Sequence, residues 1–289
     1  MSTADKRSRL GPQPEIAVTP PALIERLLAA AGPDLVLVGG QALGFWMDRY
    51  GIHVPSEMPF ISRDIDFLAQ SAGDKAEVIR LANVIGGTAL IPSARSLTAL
   101  VGQAVRPVGE GAHINIDVVF EVFGASADKV RDAALDVEVE DSDVVFRVMH
   151  PMDVLKSRLD NLYGLREKQN ELGEQQLAVA IEVAKEFQRR VANETSTPCG
   201  RSRTLPYVKF IERLAQSDAG TKVAQRHGVH VADAIAPEWI RDAAFRGKKL
   251  PRLLKLMSAP RQLEVTLTCQ AQDDQRQATA KPHPQRPKK

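Results

Sequence analysis

The chain has 289 residues, 44% of them hydrophobic and only 5% aromatic, so a core is affordable but must be packed mainly by aliphatic side chains. Two cysteines in unrelated contexts, Cys199 and Cys269, exclude a disulfide framework and any paired-cysteine metal site, and no run reaches the ~20 apolar residues of a membrane span. Net charge is +2, yet from Arg201 onward 18 Lys and Arg face 8 Asp and Glu, leaving 20 against 28 in the first 200 residues: an acidic half suited to metal or catalysis, then a basic half suited to a polyanion.

In chain order, residues 1–16 read as a disordered leader without the apolar segment of a signal peptide, so a reducing cytoplasm is the expected compartment. Pro20-Pro21 opens a helix to Ala31, with Leu23, Ile24, Leu27 and Leu28 on one face, and Gly32-Pro33 ends it. A short apolar strand, 34–38, runs into Gly39-Gly40 and a helix to Tyr50 whose Phe45 and Trp46 are expected to pack the core. Residues 51–62 form a long loop with Pro55 and Pro59. A strand at 64–68 is followed by a helix at 74–84 and strands at 88–91 and 97–105. Residues 113–120 alternate most clearly, with His113, Asn115 and Asp117 on one face and Ile114, Ile116 and Val118 on the other. A helix at 127–134 and strands at 136–139 and 144–148 complete a mixed α/β unit.

From His150-Pro151 the pattern turns helical: 152–166, 172–191, then a polar linker at 193–204, then 207–216, 221–226, 232–245 and 250–257. The expected organisation is α+β, a domain of residues 17–149 with a mixed sheet, followed by a helical domain of 150–274. Residues 275–289 lack acids and hold three prolines, the composition of a flexible basic tail. Arg246-Gly247-Lys248-Lys249 and Lys255 suit either a phosphate backbone or a solvated helix end.

The chemistry concentrates in three places. Asp64 and Asp66 alternate on an apolar strand, so both carboxylates point the same way and repel unless a cation or proton lies between them. Asp117, on another strand, can join them. Three hard oxygen donors suit Mg²⁺ or Mn²⁺, and paired ions of this kind stabilise the attacking and leaving oxygens of a phosphoryl displacement. Asp117 can also accept the proton of an attacking hydroxyl. Gly39-Gly40, lacking Cβ atoms and opening a helix, lets the backbone approach a phosphate. A dinucleotide-binding turn would place glycine where Gln41 stands and leaves the acidic pair unexplained. His113 and His150 have no metal-ligand spacing and read as structural.

The order Val38-Gly39-Gly40-Gln41-Ala42-Leu43, then Ser62-Arg63-Asp64-Ile65-Asp66-Phe67-Leu68, then Ile114-Asn115-Ile116-Asp117-Val118-Val119 resembles the nucleotidyltransferase superfamily with the DNA polymerase β fold. More narrowly it resembles the AbiEii-type nucleotidyltransferases, toxins of toxin–antitoxin pairs, which carry a lysine on a helix after the last strand, here Lys156 within 150–159. The resemblance spans about residues 20–190. It implies Mg²⁺-dependent transfer of a nucleoside monophosphate from an NTP to a hydroxyl of RNA, tRNA especially, or of a protein, and a cognate antitoxin as partner. Asp64, Asp66 and Asp117 become the metal and catalytic residues. Gly39, Gly40, Gln41, Ser62, Arg63 and Lys156 become nucleotide contacts, with Lys156 on the phosphates. The chain departs in having Gly39-Gly40 where many members have Gly-Ser, and in a longer gap before Asp64. An inactive binding or regulatory module on the same scaffold is the alternative.

Overall fold

The computed structural model describes residues 15–53, 63–93, 95–109, 111–139, 144–193, 203–240 and 242–258, the last four without their side chains. The leader 1–14, the 54–62 part of the long loop, most of the linker and the tail lie outside these residues.

Among the described residues, eight strands form one mixed sheet. They are β1 Glu15–Ile16, β2 Val36–Val38, β3 Ile65–Leu68, β4 Thr88–Leu90, β5 Leu100–Pro107, β6 Ala112–Val119, β7 Leu135–Glu138 and β8 Val145–Val148. Their order is β4-β5-β6-β3-β2-β8-β7. The β3–β6 and β2–β8 pairs are parallel, whereas β2–β3, β4–β5, β5–β6 and β7–β8 are antiparallel. The central strands are apolar on both faces along most of their length, as a sheet covered by helices requires: Val36, Leu68, Ile116, Val118 and Val148 are fully buried.

Two positions differ from the sequence expectation. Glu15 and Ile16 belong to no leader; they pair in parallel with Ala112 and His113, in the space beside β6 that β3 leaves open. Two residues give no periodicity to read. The strand expected at 97–105 occupies Leu100–Pro107 instead, and Leu97 projects fully into solvent.

Helix α1, Pro21–Ala31, packs on α3, Lys75–Ile85. Helix α2, Gly39–Tyr50, packs against β3, α5 (Pro151–Gly164) and α6 (Glu171–Asn193). Helix α4 is Ala127–Ala133, and α7 and α8 are Leu205–Gln216 and Asp218–His227. Because α5 and α6 pack on α2, the boundary expected at 149/150 does not divide the packing: one compact unit runs through Asp242.

The helix expected at 232–245 is not continuous. It is broken into 3₁₀ turns at Val231–Ala234 and Pro237–Trp239, followed by α9, Ala243–Lys248. Pro237 has no amide to donate and holds Ala236 in an extended conformation. The second unit comprises α9 and α10, Leu250–Ser258, with Arg246, Lys248 and Lys249 exposed. No helix among the described residues is long and apolar enough to cross a membrane.

Candidate active site

Register builds the site. Val38 pairs with Asp66, Asp66 with Asp117, and Asp117 with Gln103, giving a lateral row across β2, β3, β6 and β5. Residues aligned across a sheet share a face, so the carboxylates of Asp66 and Asp117 are set side by side by the backbone ladder. Asp64 stands just ahead of β3, which begins at Ile65, rather than within it. The three side chains still converge: one carboxylate oxygen from each lies within 4.8 Å of the other two.

Asp117 is oriented by two donors, Gln103 Nε2 and Asn115 Nδ2, each 2.8 Å from Oδ1. Asp66 has a harsher setting. Burial first, and then the charges of Asp64 and Asp117, push its carboxyl up to about 7, against weaker opposition from Arg158 and Lys168. Burial also raises the Asp117 carboxyl, while its two hydrogen bonds pull it down. The cluster is therefore short of positive charge, the condition a divalent cation relieves.

The triad opens into a cavity of about 470 Å³. Gly39 and Gly40 form one wall, where β2 passes into α2. Gly39 has φ +70°, and any Cβ there would overlap the Asp66 carboxylate. Val38, at the N-cap of α2, makes no side-chain capping hydrogen bond, so the usual capping position does not cover this end of the helix. The far wall comes from α5 and the turn after it, with Ser157, Arg158 and Lys168.

Arg158 is a residue that motif reading passed over. It is buried, its Nη1 donates to Gln176 Oε1 at 3.2 Å, and its Nε has no hydrogen-bond partner among the described residues. Burial lowers its pKa and Asp66 raises it. The sequence does carry a signal: Val154, Leu155, Arg158 and Leu162 follow helical spacing, and an arginine occupies a position of the apolar stripe.

The other expected contacts lie elsewhere. Lys156 does not line the cavity; its Nζ bonds Asp160 Oδ2 and Gly124 O. On α5, residues 156 and 158 are two positions apart and face different ways, which sends Arg158 rather than Lys156 to the triad. Arg63 is likewise drawn away, paired with Glu15 and donating to Ile16 O at 3.2 Å. Gln41 is half-buried on α2 outside the cavity lining, and Ser62 lies outside the described residues. His150 is structural: its Nδ1 accepts from Met152 N at 3.1 Å and caps α5. Trp46 is buried, with Nε1 donating to Met149 O at 2.8 Å, and half-buried Phe45 packs edge-on against it.

No family model matches the chain, and no curated protein is significantly similar to it.

Proposed function

We propose that the chain is a divalent-metal-dependent nucleotidyltransferase, moving a nucleoside monophosphate from an NTP to a hydroxyl acceptor. The observation that carries this reading is the meeting of Asp64, Asp66 and Asp117 beside the glycine-lined start of α2. Their all-oxygen donor set and the upward push on Asp66 fit Mg²⁺ or Mn²⁺. When bound, such an ion would neutralise charge on the triphosphate and on the leaving pyrophosphate.

The chain's own groups do the rest. The first α2 amides and the helix dipole attract phosphate oxygens at Gly39–Gly40. Arg158 and Lys168 supply the positive charge on the facing wall, the role expected of Lys156 and Arg63. Asp117, aligned by Gln103 and Asn115, accepts the proton of the attacking hydroxyl as its oxygen bonds the α-phosphorus and pyrophosphate departs. The basic C-terminal composition favours RNA, tRNA among it, as the acceptor, with a protein hydroxyl as the other choice. A toxin role held in check by an antitoxin belongs to the same reading.

An inactive module would be favoured by Arg63 locking Asp64 or by a filled glycine turn. Arg63 instead bonds Glu15, and Gly39 and Gly40 face a cavity. The test incubates the protein with each labelled NTP, Mg²⁺ and total RNA, beside Asp64→Ala/Asp66→Ala. Label entering RNA or protein only with the intact aspartates supports transfer; equal labelling by the variant removes the triad from the chemistry.

A further inference from the structure

A second cavity, of about 580 Å³, opens at the other end of the same two helices. Helix α2 brings Gly40 to the triad and Arg49 to this cavity, while α5 has its N-cap residue His150 here and reaches the triad cavity with Arg158. At 1.5 Å per residue the two sites lie about 12–14 Å apart along each helix.

Its lining combines cations with aromatic rings. Arg49, Arg190 and Arg203 contribute three guanidinium groups, and Asp136, the single acid among the described lining residues, is already 3.5 Å from Arg147 Nε. Arg190 is fixed in place: Nε lies 3.0 Å from Glu186 Oε1, Nη2 donates to Arg49 O at 3.2 Å, and the group lies 4.5 Å over the Tyr50 ring. Arg49 and Arg203 are exposed and make no ion pair among the described residues. One wall is aromatic, with Tyr207 stacked on His150 at 5.7 Å and Phe187 edge-on to both. His150 adds no charge there. Burial lowers its pKa to about 4, and because Nδ1 accepts from Met152, the neutral ring carries its proton on Nε2.

Guanidinium forks fit phosphate oxygens, and ring faces beside them fit a planar heterocycle. A cavity of this size holds one mononucleotide. We propose that this cavity binds a nucleoside phosphate, with the base against the Tyr207 side and the phosphate held by Arg49 and Arg203. The ligand is either a free nucleotide or one residue of a single strand; the site does not depend on the transfer chemistry.

The test uses the full chain carrying Asp64→Ala/Asp66→Ala in EDTA, which takes the triad out of play, and Trp239→Phe, which leaves Trp46 at the cavity as the lone tryptophan. Adenosine monophosphate, adenosine, inorganic phosphate and a short 5′-phosphorylated single-stranded RNA are titrated by fluorescence, with equilibrium dialysis of the labelled monophosphate alongside. The expected result is saturable binding of the monophosphate, with adenosine and inorganic phosphate weaker by about tenfold. Arg49→Glu/Arg203→Glu, and Arg203→Ala in lesser degree, weaken it by about tenfold or more, the scale of lost charge-assisted contacts. RNA binding far tighter than the monophosphate assigns the ligand to a strand; equal or weaker RNA binding assigns it to a free nucleotide. Dialysis without binding of monophosphate and no RNA response, phosphate as good as the nucleotide, or unchanged affinity in the charge-reversed protein would each overturn the proposal.

Discussion

The backbone of Gly39 lies against the Asp66 carboxylate so closely that a Cβ would sit 2.8 Å from its Cγ. Gly39→Ala must therefore move Asp66 and also adopt φ +70°, which costs about 1–2 kcal/mol for an L residue. Gly51→Ala provides the comparison, since Gly51 has φ +64° and nothing within 4 Å of a Cβ. Both variants should melt earlier, but only Gly39→Ala should lack the rise in melting temperature expected when Mg²⁺ is added to the parent. A preserved Mg²⁺ response in Gly39→Ala would contradict the overlap.

Asp66 predicts a metal-free stability that falls with rising pH. Unfolded, its carboxyl titrates near ~3.9; folded, near about 7. Between these values the folded state binds the extra proton, so stability drops as pH rises through the window, by a ceiling of about 4 kcal/mol at ~1.4 kcal/mol per pH unit. Asp66→Asn should flatten that slope and melt higher than the parent at pH 8 in EDTA. Urea titrations across the window measure it.

His150 acts with the opposite sign. Its folded pKa of about 4 lies below the ordinary value of 6.5, so its contribution is complete above pH 6.5 and is lost as pH falls toward 4. Protonation would also end the acceptance from Met152 N that caps α5. His150→Asn, which keeps a capping acceptor, should weaken this acid-side loss; an unchanged acid limb would show that the ring titrates freely.

Lys168 and Lys156 should separate kinetically. Lys168→Ala is expected to raise the KM for NTP about tenfold, because Lys168 lines the triad cavity. Lys156→Ala should leave KM nearly unchanged and lower the melting point slightly, because its partners are Asp160 and Gly124 O. Arg63→Ala, breaking an exposed pair with Glu15, should cost less than about 1 kcal/mol and spare KM. The reverse pattern would return the phosphate role to the motif lysine.

The long elements were legible because burial imposes a period. The alternation across 113–120 became β6, and the glycine pair after an apolar run became the β2–α2 junction. The convergence of Asp64, Asp66 and Asp117 followed from that order and a parallel β3–β6 pairing. Cation placement was not legible, since a long side chain near a motif can turn toward any carboxylate within reach. Arg63 found Glu15 and Lys156 found Asp160, whereas Arg158 reached the triad from a stripe otherwise apolar. The segment before α9 is broken because Pro237 interrupts what composition alone presents as helix.

Asp66 and Asp117 face each other across a parallel ladder whose strands lie about 4.8 Å apart. The gap between their main-chain anchors is thus a property of hydrogen-bonded peptide groups, which no rotamer change can widen. On the proposed metal reading, a small cation would need only side-chain rotation, whereas a bulky one would meet a frame that stretches only by breaking the middle of the sheet. Discrimination by ionic radius would then be inherited from backbone spacing.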